Sequence, residues 1–393
     1  MSFYLQHGHA KSSRLTLAIQ DGAADGVIFA ARNETPEKMA QCIEQIREVG
    51  TVDVLFDPQL YISPLTNAKE RYLDRYEYYE SGLTAKDFIS PKKIRAYAKA
   101  TVSTQLDFGV DAILSPTVCF DSFSDVWSHI ALTLAESTLE YTEKIGSVPR
   151  LLLSFVLAES ALDSRDDLDA FLDTITTWNA AGFYIIVDRS DGTYSQQWSE
   201  TRLRNLLYLS HVLGSRNDFE VIFGYTDFCG LLFRAVGAKS FAGGWFHSLR
   251  QFHRGRFVEG PGGGQRPLLR YPSLPLLDSI YLNELQQAFD QDFLEEVLSN
   301  VPQDEVIESA ASPEDADWTQ LLSERAHWLC MKELDSSVGV DVDTDVATVR
   351  ERIEAARGLY TILSNAGVVL ERRHRGDHLA VWLRALDGFA DLL

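Results

Sequence analysis

Short apolar runs rich in β-branched residues alternate along the chain with stretches whose apolar positions recur at helical spacing. This is the pattern of repeated βα units around a parallel sheet. The run Gly26–Ala30 (GVIFA) reads as a strand. Thr35 then N-caps a helix with Pro36 at its first position and Met39, Ile43 and Ile46 on one face. Further strands are predicted at Val52–Phe56, Asp111–Leu114, Leu151–Ala158, Phe183–Val187, Phe219–Gly224 and Ser240–Phe246. Helices are predicted from Pro91 to about Leu106, over Ser124–Ile145, from Ser164 to near Gly182, and over Thr201–Leu213 and Leu231–Val236. Leu268–Tyr271 supplies an eighth strand before a helix over Leu276–Phe289.

Eight strands and the length of the chain predict an α/β fold, a (β/α)8 TIM-like barrel over residues 1–300. An open doubly wound sheet is the alternative. Residues 301–393 change texture and become acidic and helical, over Trp318–Leu334, Val346–Asn365 and His378–Leu392. They read as a C-terminal extension packed on the barrel. The segment VDVDTDVAT (340–348) reads as a loop, and it lacks the glycine and glutamate of an EF-hand.

Polar residues close each apolar run, and a parallel barrel gathers such residues on one rim. They are Asn33, Asp57 with Gln59, Ser115 with Thr117, Glu159, Asp188, Asp227, and Gly243–Gly244–Trp245. Four of them are carboxylates, able to exchange protons or accept from N–H donors. Asp57 and Asp188 are the catalytic candidates. Asn33, Gln59, Glu159, Asp227, Gly243, Gly244 and Trp245 are the substrate-binding candidates. Helix capping is the alternative role for an acidic residue after a strand.

Composition sharpens this picture in one place. The chain of 393 residues is 45% hydrophobic and carries a formal charge of −21. Such a charge opposes broad contact with nucleic acid or an anionic membrane and leaves only a local basic patch for phosphate. One segment supplies it: Gly243–Tyr271 holds Arg250, Arg254, Arg256, Arg266 and Arg270 among aromatic residues, with Gly262–Gly264 as a hinge. Arg250 and Arg254, four apart, form a two-pronged anion site if that stretch is helical. The tyrosine-rich insertion Arg71–Tyr79 is either a lid or packing.

No signal-peptide h-region and no apolar run of 18 residues occurs, so a cytoplasmic location is expected. Cys42, Cys119, Cys229 and Cys330 are scattered without CxxC spacing, and the histidines show no HExxH. Neither a metal nor another cofactor is expected.

Three stretches resemble the tRNA-guanine transglycosylase superfamily: the strand-end aspartate of VLFDPQLY (Asp57), the glycine pair of SFAGGWF (Gly243, Gly244), and the RY of LLRYPSLPLLDSI (Arg270, Tyr271). The resemblance implies a barrel that recognises or exchanges a purine-like base, with Asp278 as the acidic residue following the RY. Pro58-Gln59-Leu60 stands where the family has Ser-Gly-Gly, and the CxCxxC zinc motif is absent. The chain is thus most similar to the zinc-free relatives found with deazapurine chemistry and phage defence. The expected partner is a nucleobase-like or phosphate-bearing small molecule. A catalytically inactive barrel serving as a protein-interaction platform, or a homodimer, is the alternative. A metal-dependent hydrolase is disfavoured, because none of the seven strand ends carries a histidine.

Overall fold

A computed structural model describes residues 2–146, 148–258 and 268–392. Eight parallel strands close into a barrel: β1 (Ser2–Gln6), β2 (Gly26–Ala30), β3 (Asp53–Asp57), β4 (Ala112–Leu114), β5 (Arg150–Ala158), β6 (Gly182–Asp188), β7 (Glu220–Gly224) and β8 (Ser240–Gly243). β1 closes the ring. It pairs with β2 on one side, Leu5 opposite Val27, and with β8 on the other, Leu5 opposite Gly243. The fourth position is split, since Cys119–Phe120 continues the ladder beyond β4 and pairs with the far end of β5. The strands are buried along nearly their whole length, as required of a sheet covered by helices outside and filled by side chains within.

Helices lie between successive strands, and their starts follow local chemistry. The Thr35 hydroxyl accepts from the Lys38 amide ahead of Pro36–Val49. Asp125 accepts from Ser128 ahead of Val126–Ile145, and Ser164 accepts from Asp167 ahead of Arg165–Ile175. Each side chain satisfies an amide that the first helical turn leaves unpaired.

The eighth strand is not the one the sequence pattern supplies. Residues 268–269 lie outside any strand, and Arg270–Ser273 pairs antiparallel with Asp278–Tyr281 in a hairpin separate from the barrel. The predicted helix over Leu276–Phe289 shortens to Leu282–Asp290 for the same reason. The missing barrel strand is β1, a five-residue run carrying Ser, Tyr and Gln that lacks a continuous apolar signature. Asp341 caps the helix Val342–Asn365, so most of the segment 340–348 is helix rather than loop.

Helix Gln320–Ser336 lies against β1, helix Arg14–Gln20 and helix Gly230–Ala235. That is the place of the eighth outer helix, which comes only after the hairpin and the helices that follow β8. The tail thus packs a helix onto the barrel wall as well as extending beyond it. Ion pairs Arg14–Glu324, Arg325–Asp21, Lys332–Asp25 and Arg234–Asp335 fasten this helix to the barrel. The last, at 2.6 Å, is buried on both sides. Helix Asp377–Ala390 packs on helix Glu200–His211. Among the described residues no helix is long and apolar enough to cross a membrane.

Candidate functional site

A parallel closed barrel puts Asn33, Asp57, Ser115, Glu159, Asp188, Asp227 and Gly243 at one end, and their surroundings there differ sharply. Asp57 is 3% exposed. Its carboxylate accepts from the Tyr61 hydroxyl at 2.7 Å and from the Gln59 amide at 3.0 Å. Burial pushes its pKa up to about 7, against the opposing pull of those donors and of Arg256. Phe252, from the segment after β8, packs edge-on to Tyr61 and Tyr225 and covers this buried layer. Gln59 links the layer to the rim: its amide nitrogen donates to Tyr61 at 3.2 Å and to Tyr225 at 3.4 Å, and its carbonyl accepts from the Arg32 amide.

The other strand-end residues are engaged within the protein. Glu159 accepts from the Ser190 amide and hydroxyl and pairs with Arg189. Burial works against its charge, yet Arg189 and Ser190 outweigh it and leave the pKa lowered. Asp188 pairs with Arg254 at 2.7 Å, and burial leaves its pKa raised. Asp227 accepts from Tyr194 and, at 2.7 Å, from Nε2–H of His327 on the eighth helix. Ser115 accepts from the Ser154 amide across the barrel wall, and buried Thr117 donates to the Val118 carbonyl.

Two candidates pack against backbone instead of facing a ligand space. A Cβ on Gly243 would meet the Thr226 carbonyl oxygen at 2.6 Å, and one on Gly244 the Gln6 carbonyl oxygen at 2.7 Å. The glycine pair permits close backbone packing. Trp245 is buried and donates to the His9 carbonyl. Nor do Arg250 and Arg254 form a clamp. They lie in and beside separate 3-10 turns, His247–Leu249 and Arg254–Phe257. Arg250 is buried and donates to the Gly244 carbonyl, while Arg254 is taken up by Asp188 and Asp121. Arg266 and Gly262–Gly264 lie outside the described residues.

Open space at the rim is lined by further arginines. A cavity of about 180 Å³ is bounded by Arg32, Asn33, Gln59, Arg71 and Arg256, with His9 and Lys69 at its edge. Among the described residues, no carboxylate lies within ion-pair reach of Arg32, Lys69, Arg71 or Arg256. Burial, together with the charges of Arg71 and Arg256, lowers the Arg32 pKa to about 10. His9 is depressed by burial and by the same three guanidinium groups. Arg256 lies over Tyr225, Phe252 and Phe257 at 4.7, 5.4 and 4.5 Å, with Nη1 buried and unpartnered among the described residues. Gln59, Arg71 and Tyr225 all hold positive φ, at 56°, 53° and 55°, a backbone state that side chains beyond Cβ disfavour and that clusters at functional sites.

A wider cavity of about 460 Å³ adjoins the first and shares Ser248 and Arg256 with it. It lies between the loop after β6 and the hairpin, and its other charged groups include Arg270, Arg373 and Asp278. Gln196 and the Ser279 amide donate to Asp278 Oδ1, and burial pushes the carboxyl up to about 6. Tyr194 stacks on His247 at the wall, centroids 4.1 Å apart.

Of the predicted residues, the structure brings Asn33 and Gln59 to the narrow cavity, with Asp57 in the layer beneath. Sequence reading passes over Arg32 and Lys69, and places Arg71 in an insertion that is either a lid or packing. The insertion is in fact packed, with Tyr76 and Tyr78 donating to the Glu34 and Pro58 carbonyls. The missed strand also hid a histidine at a strand end. His7 follows β1, fully buried against Phe29 and Trp245, and burial pushes its pKa down to about 3.

The cysteines are free thiols, with Cys42, Cys229 and Cys330 buried. Burial holds Cys229 near 11 and Cys330 near 12, far from thiolate chemistry at neutral pH. Among the described residues no three His, Cys, Asp or Glu side chains gather as a metal site.

No family model and no curated protein matches this sequence. Among solved structures, it is similar to a Burkholderia cenocepacia J2315 protein assigned as a phosphonomutase. Identity is 12% and TM-score 0.35, covering 62% of this chain and 86% of that one. A second is the nitroalkane oxidase of Streptomyces ansochromogenes, at 14% identity and TM-score 0.29, covering 99% of this chain and 96% of that one. At such scores neither bears on the chemistry of the site, and the barrel rests on its own strand pairing.

Proposed function

We propose that the mouth of the barrel binds a small molecule through a phosphate-like anionic group held by Arg32, Arg71 and Arg256. The observation that carries this reading is the gathering of three guanidinium groups around one cavity without a carboxylate among the described residues. In a chain of charge −21 acidic partners are abundant, so an unneutralised cluster is the exception. Like charges held together raise the energy of the empty site, and an anion removes that repulsion while accepting several charge-assisted hydrogen bonds.

The likeness of VLFDPQLY and SFAGGWF to the transglycosylases supports a purine- or deazapurine-like body for this ligand, and with it a part in bacterial defence chemistry. The adjoining cavity of about 460 Å³ is of a size that takes such a body. Base exchange at Asp57 is not included, because Tyr61 and Gln59 occupy that carboxylate and Phe252 covers it.

Calorimetric titration of the full chain with methylphosphonate tests the reading. Binding is expected, weakened at least tenfold by Arg71→Ala and by Arg256→Ala. Unchanged affinity in both variants would refute the anion site and favour the interaction-platform alternative.

A further inference from the structure

The two rim cavities meet at Ser248 and Arg256, and the second has its own cations. Arg270 is fixed in place. Its guanidinium donates to the Ser279 carbonyl and the Tyr281 hydroxyl and lies 4.3 Å from the Tyr281 ring centroid. Its Nη1 also lies 2.6 Å from His374 Nε2, and His374 Nδ1 lies 2.6 Å from Glu284. None of these contacts neutralises Arg270. Arg373 is exposed at the edge of the same cavity. Among the described residues neither arginine has a carboxylate within ion-pair reach. Among the described residues Asp278 is the one carboxyl lining this cavity, and its Oδ2 has no hydrogen-bond partner there.

Three cations facing one carboxyl leave the wider cavity with a positive balance, and Arg256 belongs to both spaces. The arrangement is a pair of anion sites bridged by a guanidinium. We infer that the natural ligand carries two anionic groups on a short spacer, one held by Arg32 and Arg71, the other by Arg270 and Arg373, with Arg256 between them. This inference rests on the anion reading of the barrel mouth and adds the chemical class of the ligand: a bis-anion of the nucleoside diphosphate or bisphosphate kind. Joining the two groups in one molecule makes the second contact intramolecular, so its contribution appears as affinity without a second loss of translational freedom.

The test is a titration series on the full chain at constant ionic strength, with methylphosphonate as the single anion and alkane-α,ω-bisphosphonates of one to five carbons as the pairs. At least one bisphosphonate is expected to bind tenfold or more tightly than methylphosphonate. Arg373→Glu, an exposed change that leaves the core intact, is expected to remove that gain. Arg270→Lys, which keeps the charge but loses the fork, is expected to reduce the gain severalfold. A series in which no bisphosphonate exceeds methylphosphonate, or a gain that survives Arg373→Glu and Arg270→Lys, overturns the two-anion inference while leaving the first anion site standing. Failure of methylphosphonate and of every bisphosphonate to bind overturns both.

Discussion

Arg32 and Arg256 lie over the same ring: their guanidinium carbons are 5.3 and 4.5 Å from the centroid of Phe257. The residues come from opposite ends of the barrel sequence, one after β2 and one after β8. The ring is buried and held by backbone pairing, since the Lys69 amide donates to the Phe257 carbonyl and Ala68 bridges to Val258. One aromatic ring therefore attracts two cations that would otherwise repel each other apart.

Phe257→Leu keeps the apolar volume and removes the π-face. Stability is expected to fall by only about 1 kcal/mol, whereas affinity for methylphosphonate should fall about fivefold as the guanidinium groups lose their common platform. Urea unfolding and calorimetric titration of the same sample separate the two effects. A stability loss with affinity untouched would show that Phe257 serves packing alone.

Asp57 sets a pH dependence of folding. Its native pKa of about 7 stands above the usual carboxylate value, so between pH 4 and 7 the native state keeps a proton that the unfolded chain has released. The contribution of Asp57 is thus fully present below pH 4, falls as pH rises, and is lost above 7. Asn at this position has no charge to bury, so Asp57→Asn should stabilise the protein relative to the parent by on the order of 3 kcal/mol more at pH 8 than at pH 4. Urea midpoints at the two pH values measure this, and a difference that does not change with pH contradicts it.

Much of the fold was legible because its physics is local. β5 and β6 are long apolar runs, and Thr35–Pro36 announces a helix start by side-chain chemistry alone. β1 was not legible, because its place in the ring comes from pairing with β8, more than 230 residues away, and not from its own composition. The same holds at the site. A strand-end rule finds Asn33, Gln59 and Asp57, but Arg32, Arg71 and Arg256 share no pattern and meet only when the barrel closes. Arg250 and Arg254 looked alike in sequence, yet the 3-10 turns on either side point them to different partners.

The eighth helix reaches the rim through His327, whose Nε2–H donates to Asp227, both side chains being buried. Burial and the Arg250 charge push His327 down to about 4, so the pair is a neutral imidazole on a carboxylate at neutral pH. His327→Ala removes one donor from that carboxylate, which keeps Tyr194, and should cost about 2 kcal/mol. Asp227→Asn in the same chain should recover part of the loss. A double variant no more stable than His327→Ala, in urea unfolding, would show that the imidazole acts by packing and not by holding the charge.

The most direct measurement of the anion site is the position of a bound tetrahedral dianion. Crystals of the full chain soaked in selenate, with data collected at the selenium edge, locate it without reference to affinity. The account predicts an anomalous peak within hydrogen-bond reach of the guanidinium groups of Arg32, Arg71 and Arg256, absent from crystals of Arg256→Ala. Selenate found only at surface lysines, with the cavity between those three arginines empty, would contradict it.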